Sequence, residues 1–235
     1  MRHNGRKNDE LRPITVERSF LTHAEGSVFI KMGSTWVLCA VSVEEQVPPF
    51  LAETGQGWIT AEYSMLPRST AERMPRESMR GKVKGRTHEI QRLIGRSLRA
   101  VVDLERLGAR TLRVDCDVIQ ADGGTRTTSI TGAFQALKEA VESLMHSGLI
   151  TENPIKDDLA AVSCGIVKGQ PLLDLDYKED SQASVDANFV ITGRGQLVEV
   201  QATGEEGPFG WDEFEELGRL AQKGVKEILE KVASS

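Results

Sequence analysis

Residues 122–129 place two glycines, several hydroxyl groups and one guanidinium where a strand is expected to give way to a helix. Gly123 and Gly124 let the backbone approach a ligand closely. The first turn of a helix leaves backbone N–H groups without partners inside the helix, and these groups favour an anion. Thr125 adds a hydroxyl donor, and Arg126 adds a planar fork that suits phosphate. The pattern predicts a phosphate site, and the alternative is a capped polar turn with a surface arginine.

A second cationic position is expected at the start of another helix, within residues 86–96. Arg86 stands directly before Thr87, which we predict to be the helix N-cap. Arg92 and Arg96 are four residues apart and therefore share one face of that helix, where like charges repel. Because a nearby anion would relieve this repulsion, the segment favours a second anion-binding corner. The alternative is an exposed basic face without a ligand.

Carboxylates are concentrated in residues 172–186. Asp174 and Asp176 alternate with leucines, as in a strand that carries both carboxylates on one face. Asp180 and Asp186 bracket a short turn and are expected to converge. Clustered carboxylates are ligands for Mg²⁺ or Mn²⁺, and one of them can instead act as a general acid. The alternative is an acidic turn whose aspartates cap neighbouring backbone groups.

Basic side chains dominate residues 68–86, which hold seven Lys or Arg residues against two Glu. The segment therefore carries a net charge of +5, although the whole chain carries −6. Prolines and glycines interrupt it, which predicts a long exposed loop. A concentrated basic loop on an acidic body is typical of contact with a nucleic acid backbone. A solvated loop without a partner is the alternative.

The elements that must position these groups alternate between strand and helix patterns. Alternating apolar residues predict strands in the first third of the chain and at 112–118, and a second β-rich block at 159–203. Apolar residues at helical spacing predict three helices, one after Thr87, one at about 129–146 and one at about 211–231. This order predicts an α/β or α+β fold with helices packed on sheets.

Composition argues against several other classes of protein. The chain of 235 residues is 39% hydrophobic and 27% charged, which suffices for a core. No apolar run approaches the roughly 18 residues of a membrane span, and the polar N-terminus lacks the pattern of a secretory signal, so we expect a cytoplasmic protein. The three cysteines are far apart and are expected to be free, buried and structural. No Ser/His/Asp or Cys/His arrangement stands out, which suits a reaction whose nucleophile is a bound anion.

Several long blocks follow one another in a recognisable order along the chain, at residues 2–6, 11–13, 55–67, 86–96, 120–132, 173–188 and 200–206. Together these blocks resemble the RNase PH family, which includes polynucleotide phosphorylase and the ring subunits of the exosome. The resemblance implies the duplicated βαβα fold of that family, similar to domain 2 of ribosomal protein S5, with residues 1–235 as a single domain. It also implies a ring-shaped homo-hexamer built as a trimer of dimers.

The resemblance further implies a reaction and the residues that carry it. Inorganic phosphate would attack the last phosphodiester bond of RNA, chiefly of tRNA precursors with 3′ extensions, and release a nucleoside diphosphate in a reversible step. Asp180 and Asp186 would bind Mg²⁺ or Mn²⁺ or support protonation of the leaving group. The phosphate would contact Arg86, Gly124, Thr125 and Arg126, and the RNA would contact Arg68, Arg73, Arg76, Arg80, Arg92 and Arg96.

Two other functions remain open at this point. A ring subunit of the same fold can bind RNA without catalysis, but it would not need both the acidic and the phosphate-binding positions. A hydrolytic nuclease with two metal ions would use water as the nucleophile and release nucleoside monophosphates. One departure from the family pattern is visible at Gly210 and Trp211, where relatives often carry a polar residue. We expect it to alter the packing of the last helix and to leave the catalytic residues untouched.

Overall fold

The computed structural model describes residues 2–77, 81 and 85–234. Arg80, one of the predicted RNA-binding residues, lies outside the described residues. Within them, the chain forms two β-sheets, five α-helices and a short 3₁₀ helix at Pro49–Leu51. The predicted mixed α/β class is confirmed.

The first sheet consists of the five strands β1 (Ile14–Arg18), β2 (Gly26–Met32), β3 (Thr35–Glu44), β4 (Trp58–Met65) and β5 (Thr111–Gln120). Their spatial order is β1-β2-β3-β5-β4. β2 and β3 form a hairpin, and Gly33 in its turn has a φ of +56°. β5 pairs antiparallel with β3 but parallel with β4. The chain must therefore cross over between β4 and β5, and this crossover contains the basic loop.

The second sheet consists of the four strands β6 (Leu159–Val167), β7 (Gln170–Leu173), β8 (Ala183–Thr192) and β9 (Leu197–Gly204). They lie in the order β7-β6-β8-β9, and all their pairings are antiparallel. The register places Asp186 opposite Thr203 and Asn188 opposite Gln201. Because directly paired residues point to the same side, and side chains two positions apart share that side, these four side chains lie on one face.

The helices are α1 (Gly85–Ala100), α2 (Leu104–Leu107), α3 (Thr125–His146), α4 (Tyr177–Asp180) and α5 (Trp211–Ala233). α3 contacts β2 and β3 of the first sheet and β6 of the second, so it lies between the two halves of the chain. Residues 127–137 of α3 are accordingly buried without interruption, as expected for a helix surrounded on all sides. α1 packs on β4 and α3, and α5 packs on β6 and β7. The N-terminus of α3 is therefore placed where both halves can contribute side chains.

Helix bounds differ from the predictions in three places. α1 begins at Gly85, so Thr87 is not its N-cap but lies in its first turn, where the hydroxyl donates to Glu77 Oε1 at 2.9 Å. α3 begins at Thr125, four residues before the predicted start, and Gly124 is its N-cap. α5 extends two residues beyond the predicted end. The earlier start of α3 brings the predicted phosphate-binding residues into the first helical turn itself.

The prediction that Asp174 and Asp176 share one face of a strand is wrong. β7 ends at Leu173, and Asp174 adopts a left-handed φ of +53°. Asp176 is the N-cap of α4, and its side chain accepts a hydrogen bond from the Glu179 N–H at 3.1 Å. The Asp174 carboxylate is buried against Arg12, which lies 162 positions earlier in the chain. Local alternation does not reveal an ion pair over such a separation.

Two further expectations concern the thiols and the last helix. All three cysteines are free and buried, as predicted.

Trp211 begins α5 and is largely exposed, with its ring edge-on to Phe214 at 5.9 Å between centroids. In the described part of the chain, no helix combines the length and the apolar character needed to cross a membrane.

Candidate functional site

The loop that enters α3 packs closely against the second half of the chain. Gly123 and Gly124 have φ values of +73° and +64°, in the left-handed region that favours glycine. A Cβ atom on Gly123 would lie 2.7 Å from the carbonyl carbon of Asp176, and one on Gly124 would lie 3.0 Å from Arg12 Nη2. Conformation and space therefore both require glycine, and the helix N-terminus is held beside the segment that follows β7.

Arg12 ties this loop to the acidic segment. Its buried guanidinium donates to Asp122 O at 2.6 Å and to Asp174 Oδ1 at 2.7 Å. Burial alone would raise the pKa of Asp174, but the charge and hydrogen bonds of Arg12 outweigh burial and lower that pKa. Asp174 therefore stays ionised as the partner of Arg12. The pair sets the spacing between the N-terminus of α3 and residues 174–180.

Thr125 is the first residue of α3 and receives a hydrogen bond that the sequence did not indicate. The Tyr63 hydroxyl on β4 donates to Thr125 Oγ1 at 2.9 Å. Burial raises the pKa of Tyr63, so this hydroxyl keeps its proton and remains a donor at neutral pH. Because the Thr125 oxygen accepts from Tyr63, its own proton can be donated to a ligand.

The two predicted phosphate-binding guanidiniums lie at neighbouring helix starts. Arg126, in the first turn of α3, has a mostly buried side chain and donates through Nη1 to Gln201 Oε1 at 2.7 Å. Arg86 is exposed in the first turn of α1. Burial raises the pKa of the Asp180 carboxyl and of the Tyr63 hydroxyl. The positive charges of Arg86 and Arg126 act in the opposite direction and lower both pKa values. Arg86 and Arg126 are therefore both near enough to Asp180 and Tyr63 to influence their pKa values.

Asp180 and Asp186 form an acidic corner near the two arginines. Asp180 ends α4, and Asp186 lies on β8. Burial raises the pKa of Asp180, and Arg86 and Arg126 offset part of this effect. Burial, followed by the like charge of Asp180, raises the pKa of Asp186 to about 6. Burial is the largest cause of both raised pKa values, and the two carboxyl groups offer the hard oxygen ligands that Mg²⁺ or Mn²⁺ takes.

A third carboxylate, that of Glu205, belongs to this corner and was not predicted. Its backbone N–H donates to Ser184 O at 2.9 Å. This hydrogen bond continues the backbone pairing of β8 with β9 beyond the pair of Asp186 and Thr203. In addition to burial, the charge of Glu205 raises the pKa values of Asp180 and Asp186. The register of β8 against β9 brings Glu205 to this position, and no local sequence pattern specifies that register.

The predicted RNA-binding arginines of the basic loop lie between β4 and α1. Arg68, Arg73 and Arg76 are exposed. Ala121 N–H donates to Ser69 O at 2.8 Å. This hydrogen bond fixes the start of the basic loop beside the segment that connects β5 to α3. The basic loop therefore begins next to the predicted phosphate site.

The predicted RNA-binding arginines of α1 have different surroundings. Arg92 is exposed. Arg96 is half exposed and pairs with Glu199 of β9, with 2.6 Å between Arg96 Nε and Glu199 Oε2. In the part of the chain that the structure describes, no ion pair joins either arginine to Asp180 or Asp186. The charges of Arg86 and Arg126 lower the pKa of Asp180 against burial, and Arg92 and Arg96 are not among the largest influences on that pKa.

A different group near the N-terminus also has metal-ligating atoms close together. His3, Asp176 and Glu179 place one such atom each within 4.8 Å of one another. Cations already balance their charge, since Arg2 donates to Glu179 Oε1 at 2.7 Å and Arg6 Nη2 lies 3.3 Å from Glu179 Oε2. The group acts as an ion network that attaches the N-terminal segment to α4, and we assign no metal to it.

Two family models match the chain. The 3′ exoribonuclease family, domain 1, matches residues 10–141, and domain 2 of the same family matches residues 159–224. Ribonuclease PH of Bacillus subtilis (strain 168) is 60% identical over 232 residues, which span 98% of this chain and 95% of that protein. Ribonuclease PH of Neisseria meningitidis serogroup C is 58% identical over 225 residues, which span 96% of this chain and 93% of that protein.

Solved structures with the same fold span nearly the whole chain. The rice (Oryza sativa) Rrp46 structure has a TM-score of 0.78 at 21% identity and covers 97% of both chains. A chain of the Archaeoglobus fulgidus exosome, solved with RNA bound to the active site, has a TM-score of 0.83 at 23% identity, with 98% of this chain and 92% of that chain covered. The first matched domain contributes Arg86 and Arg126 to the site described above, and the second contributes Asp180 and Asp186.

Proposed function

The chain belongs to the 3′ exoribonuclease family in both of its domains, and we propose that it trims the 3′ ends of tRNA precursors. It is a phosphate-dependent 3′-to-5′ exoribonuclease. The proposed site is supported by the close packing of Gly123 against the start of α4, the helix that ends at Asp180, together with the charges of Arg86 and Arg126 that lower the pKa of Asp180. Because the two halves of the chain each supply part of this group, we treat residues 1–235 as one functional domain.

The physical difficulty of the reaction is that two anions, inorganic phosphate and the scissile phosphodiester, must meet. Neutralising their charge and aligning them therefore contribute most of the catalysis. We place inorganic phosphate against the guanidiniums of Arg86 and Arg126, where the backbone after Gly124 and the Thr125 hydroxyl add donors. The N-terminus of α3 supports the same anion with its unpaired N–H groups.

The bond changes then follow from where the phosphate is held. One of its oxygens attacks the terminal phosphorus of the RNA, and the bond from that phosphorus to the 3′ oxygen breaks. The electron pair of this bond stays on the 3′ oxygen, which takes up a proton, and a nucleoside 5′-diphosphate is released. Because the diphosphate retains the energy of the broken bond, the same site can add nucleotides in the reverse direction.

Asp180 and Asp186 fit a divalent cation, Mg²⁺ or Mn²⁺, because both offer hard oxygen donors and the charge of Asp180 acts on Asp186. Such an ion supplies stabilisation of negative charge on the scissile phosphate or on the leaving 3′ oxygen. Asn188 donates to Asp186 Oδ2 at 3.4 Å and restrains this carboxylate on β8. We assign Asp180 and Asp186 to this role and to support of leaving-group protonation.

The arginines outside this group are proposed to contact the RNA backbone. Exposed guanidiniums next to the phosphate site can neutralise successive phosphates without reading sequence, which makes binding depend on salt. The loop begins beside the chain that enters α3, so RNA bound there leads its 3′ end towards the acidic corner. The described residues proposed for this role are Arg68, Arg73, Arg76, Arg92 and Arg96, and Arg80, which lies outside the described residues, is proposed with them from the sequence.

Two rival functions are less consistent with the site. A non-catalytic ring subunit has no need for two carboxylates with raised pKa values facing two arginines. A hydrolytic two-metal nuclease has no need for two guanidiniums and a helix N-terminus beside its acidic residues. Both features are what an anionic nucleophile requires.

A trimming assay tests the proposed function directly. With an RNA that carries a 3′ extension, we expect shortening when inorganic phosphate is added and none when sulfate replaces it. Thin-layer chromatography should identify the products as nucleoside diphosphates, and excess nucleoside diphosphate should lengthen the RNA. Nucleoside monophosphates, or equal shortening without phosphate, would contradict the proposal.

We also propose a homo-hexamer, a trimer of dimers. The support is the likeness in fold to chains of archaeal exosome assemblies, together with several large apolar side chains, Phe50, Tyr177, Leu197 and Trp211, that are each more than half exposed on the single chain. Size-exclusion chromatography with light scattering should report a mass about six times that of one chain. A monomer at assay concentration that is fully active would contradict the assembly.

The proposed compartment is the cytoplasm. The three thiols are free and buried, which fits a reducing environment. Precursor RNA as the proposed substrate points to the same compartment.

A further inference from the structure

Arg126 has one side-chain hydrogen bond within the described residues, and its acceptor is a neutral amide. Nη1 of Arg126 donates to Gln201 Oε1 at 2.7 Å. The carboxylate of Glu89 is farther away, at 3.7 Å from the same nitrogen, and is half exposed. Gln201 is therefore the group that holds the Arg126 guanidinium in one plane.

The Gln201 amide is itself oriented from its other end. Its Nε2 donates to Glu199 Oε1 at 3.3 Å. Glu199 in turn accepts from Arg96, with 2.7 Å from Arg96 Nη2 to Oε1 and 2.6 Å from Arg96 Nε to Oε2. Glu199 is mostly buried, with a side-chain exposure of 15%, so this two-point contact fixes its position. A continuous set of contacts thus runs from α1 through β9 to the first turn of α3.

The chemistry of the acceptor matters for an anion site. A guanidinium has five N–H donors in one plane, so fixing Nη1 determines where the remaining edge points. An amide oxygen accepts the hydrogen bond without cancelling the positive charge, whereas a carboxylate at position 201 would form an ion pair with Arg126. Gln201 therefore orients Arg126 and leaves its charge available for a ligand.

We propose that Gln201 is a positioning residue that sets the affinity of the site for inorganic phosphate by orienting Arg126. This inference rests on the proposed function, since it assumes that phosphate is the anion that Arg126 binds. Gln201 contacts Arg126 directly, and it lies opposite Asn188 on β8, one same-face pair away from Asp186 and Thr203. The role therefore predicts an effect on phosphate and not on RNA.

Two variants at this position separate the role from mere packing. Gln201→Leu keeps most of the side-chain volume but removes the acceptor, and it should raise the KM for phosphate about tenfold. Its kcat at saturating phosphate and its KM for RNA should stay within about twofold of the parent. Gln201→Glu keeps an acceptor but pairs with Arg126 and adds negative charge beside Glu199, so it should raise the KM for phosphate further.

The matched control is Gln56→Leu. The Gln56 amide also donates to a glutamate, Glu105 Oε1 at 3.3 Å, but Gln56 lies before β4 rather than beside α3. This variant should leave the KM for phosphate unchanged. Thermal unfolding of each variant shows whether it is folded, and Gln201→Glu serves if Gln201→Leu does not fold.

The outcomes distinguish this inference from the proposed function. If the parent chain releases nucleoside diphosphates and both Gln201 variants keep its KM for phosphate, the positioning role is wrong and the function stands. Equal losses in kcat and in RNA affinity, with no selective change for phosphate, also overturn the role. If the parent chain itself does not use phosphate, the proposed function fails first.

Discussion

Replacing Arg126 by alanine is expected to lower kcat/KM for inorganic phosphate by about 10³-fold, because a guanidinium that meets a transferring phosphoryl group contributes an effect of this order. Arg126 is mostly buried in the first turn of α3, and the neighbouring guanidinium of Arg12 is already paired with Asp174. RNA binding should largely persist, since the proposed RNA contacts lie on the basic loop and on α1. Initial rates over a range of phosphate concentrations, together with a filter-binding assay of RNA, measure the two effects separately.

Two control variants sharpen this prediction. Arg126→Lys keeps the charge but loses the planar fork, so it should recover part of the activity and still bind phosphate weakly. Arg113→Ala removes an exposed arginine that pairs with Glu44 on the first sheet, and it should behave like the parent chain. If Arg126→Ala shortens RNA at the parent rate, the assignment of the phosphate site is wrong.

The local elements of the site were predictable from sequence because they are short-range features. Gly123 and Gly124 at a strand end, followed by Thr125 and Arg126, indicated an anion-binding helix start, and the helix begins at Thr125. The start of α3 was placed four residues too late because the hydroxyl residues from Thr125 to Ser129 are also favoured N-caps and compete with Gly124 for that position. The pairing of Asp180 with Asp186 was also predictable, because only a short turn separates them.

The groups that the sequence did not indicate are held by long-range pairing. Tyr63 reaches Thr125 because β4 lies at the edge of a sheet whose order depends on a crossover. Gln201 accepts from Arg126, and Glu205 lies near enough to Asp186 to raise its pKa, because of the register between β8 and β9. A shift of that register by one residue would turn both side chains to the opposite face. Single-sequence patterns predict which residues form strands, but they do not set this register.

Asp186→Asn is expected to abolish turnover and at the same time to stabilise the folded chain at neutral pH. Turnover should fall because the amide offers neither the charge for a divalent cation nor a titratable proton. Stability should rise because the folded chain raises the pKa of Asp186 to about 6, above its ordinary value near 3.8. Chemical denaturation and the trimming assay on the same preparation measure both effects.

The pH dependence of this stability change follows from the direction of the pKa shift. A carboxyl whose folded pKa is raised stabilises the fold at low pH, where it is protonated in both states, and this advantage is lost as pH rises through about 6. In buffer without divalent ions, Asp186→Asn should therefore match the parent near pH 4 and exceed it by roughly 2–3 kcal/mol at pH 8. Adding Mg²⁺ at pH 8 should stabilise the parent and not the variant, because ligand binding favours the folded state.

Asp115→Asn is the matched control, because it separates relief of charge repulsion from loss of the cation site. Burial, followed by the charge of Glu62, raises the pKa of Asp115. The gain in stability of this variant over the parent should therefore also be larger at pH 8 than near pH 4. Asp115 pairs with Glu62 between β5 and β4 and does not belong to the acidic corner, so turnover should be retained. If Asp186→Asn keeps full activity in Mg²⁺, or if Mg²⁺ stabilises it as much as the parent, the cation does not bind at Asp186.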